Sequence, residues 1–127
     1  YMCHFSIAVI LCLFLMGSRL HLYGDNVTLP CLYDFQTHSV LGFCWGRGNV
    51  PMSKCSNTIL SSVEGSVWFK ESSHYQLLGR VTDGDVSLTI MNAQRSDAGV
   101  YGCRVEIPGW FNDYKTNIHL ILEEGIA

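Results

Sequence analysis

The chain has 127 residues, of which 15% are charged, and a formal net charge of −3. That length holds one domain with a hydrophobic core of its own. The eight basic residues never form a run, which argues against simple electrostatic binding to nucleic acid or anionic lipid.

At the N-terminal end, Ile7 to Met16 is an unbroken apolar run of ten residues. A bilayer span takes about 20 residues, so this run suits the core of a signal peptide, with the small residues Gly17 and Ser18 behind it. No Lys or Arg precedes it, only His4, and a buried N-terminal helix is the alternative. Residues 1–18 are therefore expected to be a signal peptide, 19–122 one extracellular domain, and 123–127 the start of a stalk or linker. Of six cysteines, Cys3 and Cys12 fall in the leader, and Cys31, Cys44, Cys55 and Cys103 remain. An even number in a small exported domain reads as disulfides. Zinc is a poor rival: there is no CxxC pair, and His21, His38, His74 and His119 are scattered.

Downstream, short strand-like runs alternate with Gly, Asn, Asp and Ser. Val27, Leu29 and Cys31 alternate with Thr28 and Pro30; Phe43 and Trp45 flank Cys44; Thr58-Ile59-Leu60 and Val67-Trp68-Phe69 follow. Val86, Leu88 and Ile90, then Tyr101, Cys103 and Val105, then Ile118, Leu120 and Leu122, keep a period of two. No window carries a helical stripe. Many short strands with turn signals between them predict an all-β antiparallel sandwich.

Three features sharpen that prediction to an immunoglobulin V-type two-sheet sandwich. Cys31, Trp45 and Cys103 have the order and spread of two sheet-bridging cysteines and the core tryptophan against them. Asp97-Ala98-Gly99-Val100-Tyr101-Gly102-Cys103 reads D-x-G-x-Y-x-C, with its Tyr where a tyrosine corner belongs. Arg80 is expected to reach Asp97 and close the bottom of the sandwich. The span from Trp45 to Arg80 leaves room for the two extra strands, C′ and C″, of the V type. Trp45, Tyr101, Asp97 and Arg80 are thus scaffold residues, and so are the cysteines.

Side-chain parity places the second bridge. Trp45 points inward, so Cys44 points outward, onto the exposed face of the front sheet. A Cys44–Cys55 bond must then fold the C–C′ loop, Gly46 to Ser56, up over that face. There it stands beside the F–G loop, Glu106 to Tyr114, and two neighbouring loops make a cleft.

At the F–G tip, Trp110 and Phe111 stand side by side, and large exposed apolar groups mark contact sites. Burying both would contribute at most roughly 3–6 kcal/mol. The alternative is that they pack back on the front sheet. Asn112 and Asp113 follow, and their side chains are the hard oxygen donors that Ca²⁺ takes. The same two residue types also suit an ordinary turn. Two side chains leave most of the coordination sphere open to ligand oxygens. Asn26-Val27-Thr28 is a glycosylation sequon on Asn26.

Several stretches together resemble the T-cell immunoglobulin and mucin domain family, whose V domains recognise phosphatidylserine. They are Val27 to Cys31, Cys44 to Gly48, Gly84 to Ile90 and above all Arg104-Val105-Glu106-Ile107-Pro108-Gly109-Trp110-Phe111-Asn112-Asp113. The resemblance implies calcium-dependent phosphatidylserine binding, with Asn112 and Asp113 on the metal and Trp110 and Phe111 in the membrane. It also implies that the loop bearing Ser53 and Lys54 lies near the phosphate. Family members carry a third disulfide from the C–C′ loop to the penultimate strand; here Val50 and Gly102 take those two places, which is expected to leave the loop looser.

Two functions compete. One is a cell-surface or secreted calcium-dependent phosphatidylserine receptor domain. The other is an immune co-receptor docking other V-type immunoglobulin receptors without lipid. An enzyme has little support, because the four remaining cysteines pair and no Ser-His-Asp or paired-carboxylate arrangement stands out.

Overall fold

A computed structural model describes residues 18–33, 42–63, 66–107 and 113–124. The strands are β1 (Ser18–Leu22), β2 (Val27–Leu29), β3 (Gly42–Arg47), β4 (Thr58–Val63), β5 (Ser66–Lys70), β6 (Tyr75–Gln76), β7 (Leu88–Ile90), β8 (Gly99–Glu106) and β9 (Tyr114–Glu123). They form a six-stranded front sheet, β1-β9-β8-β3-β4-β5, and a three-stranded back sheet, β2-β7-β6. All pairs are antiparallel except β1 with β9, which run parallel at one edge of the front sheet. The sandwich is therefore the V-type fold expected, with C, C′, C″, F and G as β3, β4, β5, β8 and β9.

The period-two residues fill the space between the sheets. Val27, Leu29, Val86, Leu88 and Ile90 from the back meet Phe43, Trp45, Leu60, Val105 and Leu120 from the front in one buried cluster. Trp45 pairs in register with Cys103 and is fully buried. Its indole N–H, which would be costly to leave unpaired there, donates to the Val86 carbonyl at 2.8 Å. Cys31 and Cys103 are bonded across the sheets with Cα atoms 6.6 Å apart, and Cys44 is bonded to Cys55 at 6.1 Å. On chain-entropy grounds the first, closing the longer loop, contributes about 4 kcal/mol and the second about 3 kcal/mol.

The tyrosine corner forms as expected: the buried Tyr101 hydroxyl donates to the Asp97 carbonyl at 2.6 Å. Burial pushes the Tyr101 phenol well above its ordinary range, more than the neighbouring Arg47 guanidinium pulls it down.

The expected Arg80–Asp97 closure does not form. The Arg80 side chain, 81% exposed, pairs with Asp83 at 3.0 Å, three residues on in a short 3₁₀ turn, Val81–Asp83. Asp97 instead accepts from His74 Nε2 at 2.8 Å and from the Gln94 backbone N–H at 2.7 Å. The reason is local. Met91 N–H bonds the His74 carbonyl at 2.8 Å, which brings His74 to Asp97 just before β6 begins. Arg80 lies beyond β6, with an acidic partner of its own within the same turn.

Candidate functional site

The site is built on the outer face of the front sheet, where β3 and β8 pair. Cys44 stands opposite Arg104 and Gly46 opposite Gly102 in that pairing. With Trp45 and Cys103 buried inward, parity puts Cys44, Arg104 and Gly102 on the outer face. The Cys44–Cys55 bond then draws the β3–β4 loop, residues 48–57, across it.

The loop lies on bare backbone. A Cβ at Gly102 would sit 2.7 Å from Val50 Cγ2 and 2.9 Å from the Gly48 carbonyl oxygen. Val50 and Gly102 are therefore in contact. Polar ties hold the loop there. Gly48 N–H donates to the Val100 carbonyl at 2.7 Å, and Val50 N–H to Asn117 Oδ1 at 2.8 Å.

Arg104 is the central tie. Its side chain is only 4% exposed. Nε donates to the Lys54 carbonyl at 2.6 Å and Nη2 to the Pro51 carbonyl. Nη1 donates to Asp113 Oδ2 at 2.8 Å. One guanidinium thus joins the β3–β4 loop to the end of the β8–β9 loop, using the fixed fork of donors that only arginine offers. Its role was not assigned from the sequence, although parity beside Cys103 and register opposite Cys44 are both readable there.

Asp113 is a quarter exposed. Its other oxygen accepts from the Ile107 backbone N–H at 3.2 Å. Among the described residues each carboxylate oxygen thus accepts one bond, leaving it a second lone pair, and the group is held in one orientation. Lys54 has a left-handed backbone, φ 62°, uncommon without a structural reason for a residue with a Cβ. Its ammonium lies 3.7 Å from Glu106 Oε1 and is mostly exposed. Ser53 and Met52 are exposed at the loop tip. Asn26 is exposed just before β2, and its Oδ1 accepts from the Asn92 N–H at 2.8 Å. Trp110, Phe111 and Asn112, the remaining site residues expected from the sequence, lie outside the described residues.

The donor set fits a hard cation with a strong condition attached. Among the described residues no group of three or more His, Cys, Asp or Glu side chains could hold a metal ion. The oxygens available are the Asp113 carboxylate and the carbonyls gathered around Arg104, all beside a positive charge. Such a set favours a cation only when further oxygens arrive with it.

Three comparisons bear on this geometry. The Immunoglobulin V-set domain family model matches residues 18–122. The human T-cell immunoglobulin and mucin domain-containing protein 4 is 46% identical over 100 residues, which are 79% of this chain and 26% of that protein. This chain thus spans about a quarter of the length of that relative. Among solved structures, "Tim-1" superposes with a TM-score of 0.81 at 44% identity, over 87% of this chain and 94% of that one. "Tim-4 in complex with phosphatidylserine" superposes with a TM-score of 0.79 at 44% identity, over 85% of this chain and 99% of that one.

Proposed function

The chain belongs to the immunoglobulin V-set family and, within it, to the T-cell immunoglobulin and mucin domain group, and from that premise we propose that it is an extracellular recognition domain, cell-surface or secreted, that binds phosphatidylserine in a calcium-dependent way. The ligand enters between the β3–β4 and β8–β9 loops. The observation that carries this reading is the Arg104 tie, which fixes the Asp113 carboxylate beside the β3–β4 loop just before β9. The relative solved with phosphatidylserine supports the choice of ligand.

Each residue has a task. Arg104 and the Ile107 N–H hold Asp113 rigid, so that little entropy is lost when its free lone pairs are used. Asp113 and Asn112 would be the side chains that hold a calcium ion, which would supply, when bound, the positive charge an anionic headgroup requires. Ser53 and Lys54 face the phosphate; the Lys54–Glu106 pair is exposed and contributes little to stability, so the ammonium swings to a phosphate readily. Trp110 and Phe111 enter the apolar layer. No helix among the described residues is long and apolar enough to cross a membrane. A glycan on the Asn26 amide nitrogen leaves its Oδ1 bond to Asn92 intact.

The test is vesicle binding by the oxidised domain, with and without phosphatidylserine, in calcium and in chelator. Binding is expected to need lipid, cation and Asp113 together, and Asp113→Ala to abolish it. Equal binding in chelator would show that the metal-bridged reading is wrong. A second reading, docking of another V-type domain on the front sheet, rests on the apolar side chains exposed along β5.

A further inference from the structure

The β4–β5 ribbon is unusual for a sheet edge. All five residues of β5, Ser-Val-Trp-Phe-Lys, are exposed, and Trp68 is 67% and Val63 53% exposed. The Trp68 and Phe69 rings lie 6.0 Å apart. Edge strands are ordinarily kept short or charged to prevent association, and a contiguous exposed apolar patch marks a contact surface. Between this ribbon and the β3–β4 loop runs an open groove of about 670 Å³, lined by Gly42, Lys54, Cys55, Ser61, Phe69 and Glu106 among others.

The register shows where the patch lies relative to the candidate cleft. Val63 pairs with Gly42, and Gly42 with Glu106. These three residues form one row across the end of the front sheet. The β4–β5 turn leaves from one side of that row and the β8–β9 loop from the other. Lys54 and Glu106 belong to both the groove and the cleft.

We infer that the β4–β5 ribbon, through Val63, Trp68 and Phe69, is a second membrane-contacting element that rests on the phospholipid surface beside the candidate site. This inference rests on the phosphatidylserine reading and adds a footprint to it. The chemistry of the patch favours a lipid surface over a protein. Tryptophan is the side chain most at home between headgroups and acyl chains. Lys54 lines the same groove, and its long stem lets the ammonium group reach anionic headgroups while the apolar residues sink. Glu106, the acid in the groove, is paired with Lys54. Because Trp68 stands behind the turn rather than on it, the domain docks tilted, with its β5 edge lowered toward the bilayer.

The tryptophans themselves report the outcome. The chain has three, and Trp45 is fully buried, so it is silent toward a quencher in lipid. Trp110→Phe leaves Trp68 as the responsive ring, and Trp68→Phe leaves Trp110. Each variant is titrated with vesicles of phosphatidylcholine and phosphatidylserine carrying brominated acyl chains, in calcium and in chelator. In Trp110→Phe, calcium-dependent quenching and a blue shift of Trp68 are expected on binding. Trp68→Ser, which leaves the β8–β9 loop whole, is expected to bind vesicles roughly tenfold more weakly, the loss of one large apolar contact. If Trp110 is quenched in Trp68→Phe while Trp68 stays unchanged in bound Trp110→Phe and Trp68→Ser binds normally, the inference is overturned and the phosphatidylserine reading stands. Shielding of Trp68 that tracks protein concentration without vesicles also overturns it, in favour of a second copy on the patch. If the unaltered chain binds no vesicle, both fall together.

Discussion

Two side-chain networks tie distant parts of the chain together, and they do different work. At one end of the sandwich, Asp97 accepts from His74 and Gln94 and its carbonyl takes the Tyr101 hydroxyl. Every group involved belongs to the scaffold, and the network ends a turn and sets a strand. On the front face, Arg104 donates to two carbonyls of one loop and to the carboxylate of another. Those bonds join no strand to another; they hold the β3–β4 loop to Asp113 at the end of the β8–β9 connection. Both are buried polar networks, costly to break once formed. The first spends that cost on the fold and the second on the relative position of two loops. Breaking the first is therefore expected to cost stability alone, and breaking the second both stability and ligand binding.

Arg104→Ala is the sharpest break. It leaves the Pro51 and Lys54 carbonyls and the Asp113 carboxylate without their donor. Removing one partner of a buried ionic contact costs about 3–5 kcal/mol, and the partial exposure of Asp113 moves this case to the lower part of that range. Denaturant unfolding measures the cost. Calcium-dependent vesicle binding is expected to vanish even at temperatures where the variant is fully folded. Arg104→Lys is expected to rescue part of the stability but not the binding, because one ammonium cannot span three acceptors in fixed directions.

Asp97→Ala is the counterpart and the next largest. It removes the cap of the Arg95–Asp97 turn and the partner of His74, at about 2–3 kcal/mol together. Unfolding is expected to shift by that amount while vesicle affinity per folded molecule is unchanged. A matching loss of affinity would mean that the two networks are coupled through β8, and the contrast between them would fail.

The same contrast explains which parts were legible in the sequence. The scaffold was readable because its signals are periodic or motif-bound. Alternation around Cys31, Val86, Leu88, Ile90 and Cys103 specified the sheets, and Tyr101 two residues before Cys103 specified the corner. Cys44 facing outward followed from Trp45 facing inward, and so the stapled loop did too. What escaped was partner choice. Arg80 and His74 both precede β7, and only the folded path shows that His74 reaches Asp97 while Arg80 finds Asp83 first. Arg104 escaped because an arginine in a strand reads as surface charge; that it is buried depends on a loop fifty residues earlier in the chain. At the site, Asp113 is bonded to Arg104 and to the Ile107 N–H, whereas Trp110, Phe111 and Asn112 lie outside the described residues.

Gly102→Ala sharpens the comparison from the loop side. A methyl group there meets Val50 Cγ2 at 2.7 Å and the Gly48 carbonyl at 2.9 Å, closer than carbon atoms tolerate, so the loop must lift. Overpacking of this kind costs typically 1–3 kcal/mol. Lifting draws the Pro51 and Lys54 carbonyls away from Arg104, so vesicle affinity is expected to fall several-fold while the Cys31–Cys103 core and its unfolding cooperativity are retained. Unchanged affinity would show that the β3–β4 loop does not need its seat on β8 to form the cleft.

The smallest expected effect tests the correction at the other end. A V-type closure through Arg80 would make Arg80→Ala as damaging as loss of Asp97. In this chain Arg80 is exposed and, among the described residues, pairs with Asp83 in its own turn, and surface substitutions of that kind stay within about 0.5 kcal/mol. Arg80→Ala is therefore expected to leave the denaturation midpoint nearly unmoved, whereas His74→Ala is expected to reproduce part of the Asp97→Ala loss. Measuring the two single variants and each of them combined with Asp97→Ala makes the assignment quantitative. A coupling energy near zero between Arg80 and Asp97, with a clear one between His74 and Asp97, establishes the histidine as the partner. The reverse pattern would restore the arginine closure and make the Arg80–Asp83 contact a local alternative to it.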